Sequence, residues 1–220
     1  VSIEKIKEWN PEVKLKSVDD KVFQTYGKIL SDFDFNEIIK YSEENIIIPK
    51  TGNMYEASVK ALESFPITEE LRMNVYGGIE IELGFCCGNN TQLTGVEYHQ
   101  GSEVTIAVTD CILILGRLQD IQNNQYDTSK VEYFYLSKGQ AVELYGTTLH
   151  YSPCTVQEEG FMTLVALIRG TNSLLEGSKV SNVLVSKINK FLMVHPSQKE
   201  KITNGIHNGL VGNMPEIKHK

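Results

Sequence analysis

Between Val75 and Arg169, apolar residues recur at about every second position, in short runs cut by turn residues. Successive side chains on a strand point to opposite faces, so this spacing belongs to half-buried β-strands and not to helices. The runs cover 79–86, 94–99, 103–109, 111–117, 131–136, 140–145 and 161–168. Gly88, Asn89 and Asn90 form one break; Gln100, Gly101 and Ser102, Lys138 and Gly139, and Pro153 form others. Many short strands with no helical pattern between them predict an all-β sandwich or barrel. The polar stretch 118–130 reads as a long surface loop.

The flanks differ. Residues 22–41 carry apolar positions at mixed helical spacing, which predicts short helices broken near Gly27 and Asp32 to Asp34. Ile46, Ile47 and Ile48, ended by Pro49, read as an edge strand. Residues 56–65 read as a helix stopped by Pro66. Residues 183–194 fit a strand or a short helix, and 205–220 read as a loosely packed tail. The expected organisation is one structural domain: an N-terminal segment 1–70 packed on the core, a core at 71–170, and a mixed C-terminal extension 171–220. A chain of 220 residues can bury such a core without disulfides.

Charge excludes one class of partner. The net charge is −7, and the 21 basic residues include only three arginines, Arg72, Arg117 and Arg169. No basic block is present, which argues against nucleic-acid binding through phosphate contacts. No apolar run approaches the ~18 residues of a membrane span, and the first residues lack the apolar core of a secretory signal. The four cysteines are Cys86, Cys87, Cys111 and Cys154, with no C-x-x-C spacing. These features predict a reduced, cytoplasmic protein that neither enters nor binds a membrane.

The chemistry gathers at Glu97, His99 and Glu103. Positions i and i+2 share a strand face, so Glu97 and His99 point the same way. Gly101 permits a tight reversal, and an antiparallel neighbour brings Glu103 toward His99. His150, after the turn at Tyr145 to Thr148, supplies a second imidazole from a distant strand. Carboxylates and imidazoles converging this way suit one first-row divalent metal, whether Zn, Mn, Fe, Ni or Co. Two carboxylates on one interior face need a cation, and no Lys or Arg is interleaved on that face. The competing account is a structural hydrogen-bond cluster. Glu97 has two open roles, metal ligand or general base; without it, His99, Glu103 and His150 form a two-His, one-carboxylate set. Arg169 and Lys190 are candidate holders of a substrate carboxylate or phosphate. His195, His207 and His219 read as surface residues.

This pattern resembles the cupin superfamily. The spacing of Glu97, His99 and Glu103 matches its first motif, with Glu97 at the first histidine place and Asp110 at the closing glycine. Gly139 and His150 match the second motif, where Tyr145, Thr147 and Cys154 depart from it. The segments GVEYHQGSEVTIAVTDCILILGRLQDI, VELYGTTLHYSPC and LVALIRGTN resemble an uncharacterised bacterial cupin family related to ureidoglycolate lyases, over about residues 50–215. The resemblance implies a cupin-type β-barrel (a double-stranded β-helix or jelly roll), a metal-centred pocket and a homodimer. The expected function is a metal-dependent isomerase, epimerase or lyase acting on a small polyhydroxy or hydroxy-carbonyl compound. A non-haem Fe(II) dioxygenase and a non-catalytic ligand-binding cupin are the alternatives. Val104, Ile106 and Val108 face away from Glu103, so either the flanking segments or a second copy must cover them.

Overall fold

The computed structural model describes residues 1–177 and 180–219. The N-terminal part holds helix α1 (Ile3–Trp9), strands β1 (Leu15–Ser17) and β2 (Gly27–Ile29), α2 (Asn36–Asn45), β3 (Asn53–Glu56), α3 (Lys60–Glu63) and α4 (Pro66–Asn74). The core follows as β4 (Ile81–Gly88), β5 (Gly95–Tyr98), β6 (Glu103–Ala107), β7 (Cys111–Arg117), β8 (Tyr126–Asp127), β9 (Glu132–Leu136), β10 (Ala141–Leu144), β11 (Thr148–Leu149), β12 (Cys154–Thr155) and β13 (Phe161–Ile168). The chain ends with β14 (Val185–Lys187), β15 (Lys190–Val194), α5 (Lys199–Thr203), β16 (His207–Asn208) and β17 (Leu210–Val211). Among the described residues, no helix is long and apolar enough to cross a membrane.

The molecule is mainly β, as the alternation predicts. A six-stranded sheet runs β2-β10-β6-β13-β4-β3, and a five-stranded sheet runs β1-β9-β7-β11 with β12 also on β7. Their facing sides share one apolar cluster: Ala107, Val142, Leu144, Val165 and Leu167 meet Leu113, Leu115, Phe134 and Leu136. A smaller sheet runs β14-β15-β16, with β5 on β15. The described strands thus form facing sheets and not one continuously hydrogen-bonded barrel.

The opposite side of the six-stranded sheet explains the N-terminal helices. Val104, Ile106 and Val108, all 0% exposed, pack in one cluster with Phe35, Ile38, Ile39, Leu62, Ile67 and Leu71. Helices α2, α3 and α4 therefore cover this face, and it is not left for a second copy. Burying one such Ile contributes ~1.5–3 kcal/mol, which a bare sheet face would forgo.

Four local expectations are corrected. Ile46, Ile47 and Ile48 lie outside any strand. Pro66 opens α4 at its first turn instead of ending a helix, because a missing N–H costs nothing where the helix has no partner for it. The 118–130 stretch holds β8 and the fully buried Tyr126, whose ring packs on Gly116, where a Cβ would lie 2.4 Å from its hydroxyl oxygen. The tail is anchored too: β17 pairs with β8, and Leu210 and Ile217 are each 1% exposed.

Candidate metal centre

The site forms where the chain leaves one sheet for another. β5 pairs with β15, whereas β6 pairs with β10 and β13. Glu103 therefore does not reach His99 by β5–β6 pairing, as alternation alone suggested; the turn 99–102 carries the chain across the corner. Gly101 takes φ +107° there, and a Cβ would strike Ile168 at 2.6 Å. His150 joins through a bridge to Glu97: the Glu97 N–H donates to the His150 carbonyl (2.8 Å), and the His150 N–H donates back (3.0 Å).

The geometry brings all four residues together. His150 Nε2 lies 3.2 Å from Glu103 Oε2, and His99 Nε2 lies 3.7 Å from the same oxygen and 3.9 Å from Glu97 Oε1. Glu97, His99 and His150 each aim one ligand atom within 4.8 Å of the others. Both imidazoles are oriented from behind. His99 Nδ1 contacts the Asn189 carbonyl at 2.8 Å, and His150 Nδ1 contacts the Thr148 carbonyl at 3.0 Å. A carbonyl only accepts, so each Nδ1 carries a proton and each ring turns its Nε2 inward, where the neutral form presents a lone pair to a cation. Neither Nε2 has a hydrogen-bond partner among the described residues, although the rings are only 2% and 6% exposed. Two buried imidazole nitrogens converging with two carboxylates fit a divalent cation, which would take the place of the proton between His150 and Glu103.

Charge orders the cluster further. Burial raises the Glu103 carboxyl, but His150, then His99 and the Thr105 hydroxyl, outweigh it and bring it down to about 2. Burial lowers His150, yet Glu103 and Glu97 outweigh it and push it up to about 9, so without a cation the ring holds a second proton on Nε2, toward Glu103 Oε2 at 3.2 Å, which a bound metal would displace. His99 is held below its ordinary value by burial, against the pull of Glu97. For Glu97, burial opposes ionisation, and Lys190 with both imidazoles reverses it, leaving the carboxyl below the usual range.

Lys190 corrects the sequence reading that no cation shares this face. Its Nζ ion-pairs with Glu97 Oε2, because the β15 register opposes Phe191 and Leu192 to Tyr98 and Glu97. Arg169 is not at the site; its guanidinium contacts Glu63 at 3.0 Å and its side chain is 46% exposed. His207 also lies apart, with Nε2 at 2.9 Å from the Asn124 carbonyl. Sequence reasoning missed Asn189, a left-handed residue (φ +52°) between β14 and β15. Besides its carbonyl on His99, its Oδ1 accepts from the Gln100 N–H at 2.7 Å. The one signal was an Asn in a stretch otherwise read as continuous.

Glu97, Glu103 and His150 line a cavity of about 460 Å³, shared with Tyr55, Tyr151, Asn172, Lys190 and Lys201. Lys201 Nζ donates to the Tyr151 hydroxyl at 2.5 Å, and burial lowers its pKa.

Comparison with known proteins places this geometry in a family without settling a reaction. No curated protein sequence matches the chain. A variant of Bacillus subtilis oxalate decarboxylase is similar at 10% identity over 44% of this chain and 24% of that one, with a TM-score of 0.31. A second variant gives 9% identity, the same coverages and a TM-score of 0.32, and the enzyme at pH 4.6 gives 10%, 44%, 23% and 0.31. The chain thus spans about a quarter of the length of these structures, and similarity this low fixes no substrate. A family defined only as "Domain of unknown function (DUF4867)" matches residues 15–214. The chain, with its His and Glu cluster at the sheet corner, belongs to that family.

Proposed function

We propose that this chain is a cupin-type, metal-dependent enzyme acting on a small polyhydroxy or hydroxy-carbonyl compound. The step is an isomerisation, an epimerisation or a lyase cleavage of the ureidoglycolate-lyase kind. Two facing sheets with a polar cluster at one end suit the double-sheet jelly roll of cupins. The observation that carries the reading is the convergence of the buried Nε2 atoms of His99 and His150 on the carboxylates of Glu97 and Glu103.

His99, His150 and Glu103 would hold the cation, with Glu97 either a fourth ligand or, off the metal, the general base. A divalent metal bound there supplies a Lewis acid for a substrate carbonyl or hydroxyl. The rest falls to the chain. Off the metal, Glu97, kept ionised by Lys190, would take a proton from a substrate carbon or hydroxyl. Lys190 then balances the charge that returns when Glu97 gives the proton back. The cavity volume lies within the ~300–1,000 Å³ of small-molecule sites.

The Lys190–Glu97 ion pair favours one second reading. With Glu97 held by Lys190, the remaining His99, Glu103 and His150 are a two-His, one-carboxylate set suited to non-haem Fe(II). Oxygen uptake after anaerobic iron loading supports that reading, and its absence supports the first.

Metal analysis tests the site itself. The wild-type chain should carry about one divalent ion. His99→Ala and His150→Ala should lose most of it, because removing one of three or four ligands costs orders of magnitude in affinity. His207→Ala should retain it. Equal metal in all four proteins would overturn the assignment.

A further inference from the structure

The cavity contains one cation that the metal cluster does not use. Lys190 is committed to Glu97, but Lys201, also lining the cavity, has only the Tyr151 hydroxyl as a polar partner among the described residues. Its Nζ also lies 5.1 Å above the centre of the Tyr151 ring. A part-buried ammonium without a counter-ion is costly, and an anion entering the cavity would offset that cost. The contact with Tyr151 has a direction. Lys201 donates and the phenolic oxygen accepts, so the Tyr151 O–H remains free to donate to the same anion.

A second, independent group faces the same space. Asn172 lines the cavity, and its Nδ2 donates to the Tyr55 hydroxyl at 2.9 Å. Its Oδ1 is buried with no donor among the described residues. An amide oxygen in that state asks for a hydroxyl or amine proton. The cavity lining includes no arginine and only one uncommitted cation, which suits a monoanionic group better than a phosphate dianion.

We propose that the substrate is a polyhydroxy carboxylate, its carboxylate held by Lys201 and Tyr151 and one hydroxyl donating to Asn172. The use of this cavity for substrate rests on the reading of the His and Glu cluster as its metal centre. Lys201 and Tyr151 would then select acids over the corresponding neutral sugars and polyols, whose chain reaches the same cluster without an anionic end.

Calorimetry on the metal-loaded protein tests this with gluconate and glycerate, their neutral counterparts glucitol and glycerol, and glycerol 3-phosphate. The acids should bind at least tenfold more tightly than the polyols. Lys201→Gln should remove that preference while retaining full metal content, since charge-assisted contacts are about twice as strong as neutral ones. Asn172→Leu should weaken gluconate and glucitol alike. If the metal-loaded protein binds acid and polyol equally, binds none of them, or keeps its preference in Lys201→Gln, the carboxylate assignment is wrong and the metal centre stands. Tighter binding of glycerol 3-phosphate than of glycerate would likewise overturn it. A wild-type protein that holds no metal overturns the reading on which the assignment rests.

Discussion

Glu97 answers to two partners. Its Oε2 is ion-paired with Lys190, and its Oε1 faces His99 Nε2 at 3.9 Å. Replacing it by Gln keeps the shape but removes the charge that pairs with Lys190 and that a cation beside His99 would use. Glu97→Gln should therefore lower metal content several-fold relative to wild type, as measured by elemental analysis. Full metal content with lost turnover would place Glu97 off the cation as a base, and full metal content with unchanged turnover would remove it from the site. At this scale the sequence was informative about ligand types, because an acid and an imidazole two positions apart on a strand share a face. It was silent about orientation. His99 is aimed by the backbone carbonyl of Asn189, 90 positions away, and every residue type carries a carbonyl.

β6 shows how much an element owes to its neighbours. Its alternation sends Glu103, Thr105 and Ala107 to one face and Val104 and Ile106 to the other. The second face is sealed by α2, α3 and α4 within the same chain. Ile106→Lys should therefore collapse the thermal melt and leave no folded monomer to detect by scattering. The milder Ile106→Ala should fold but lose ~2–5 kcal/mol in denaturant titration, the usual cost of a large-to-small core change. A folded Ile106→Lys monomer with an unchanged melt would overturn the face assignment. The seven core strands were legible to within about two residues, because a period of two survives any tertiary context. The short elements were not. β8 and β17 have two residues each and exist only because each pairs with the other.

For the molecule as a whole, a cation bound at the proposed centre would couple the small sheet to the large one, since Glu97 sits on β5 and Glu103 on β6. Ligand that binds only the folded state stabilises by ~2.7 kcal/mol at a hundredfold excess over Kd. A chain of this size gains ~2–4 °C per kcal/mol, so chelation should lower the melting temperature by ~5–10 °C. Scanning calorimetry with and without EDTA checks this, with His150→Ala as the variant that should not respond. An identical loss in His150→Ala would show that the stabilising ion binds elsewhere.

The sequence by itself determined the strand-rich core, the opposed faces of β6, and the identity of the acids and imidazoles that meet. All of these follow from local periodicity and residue chemistry, which need no knowledge of distant partners. Only the tertiary structure decided that β5 and β6 separate into different sheets, and that Lys190 and not Arg169 reaches the cluster. It also decided that the polar 118–130 stretch and the tail bury Tyr126 and Leu210. The physical reason is that pairing register and sheet membership are set by contacts across 50 to 100 positions, where each residue's own preference is outweighed by the surface it must cover.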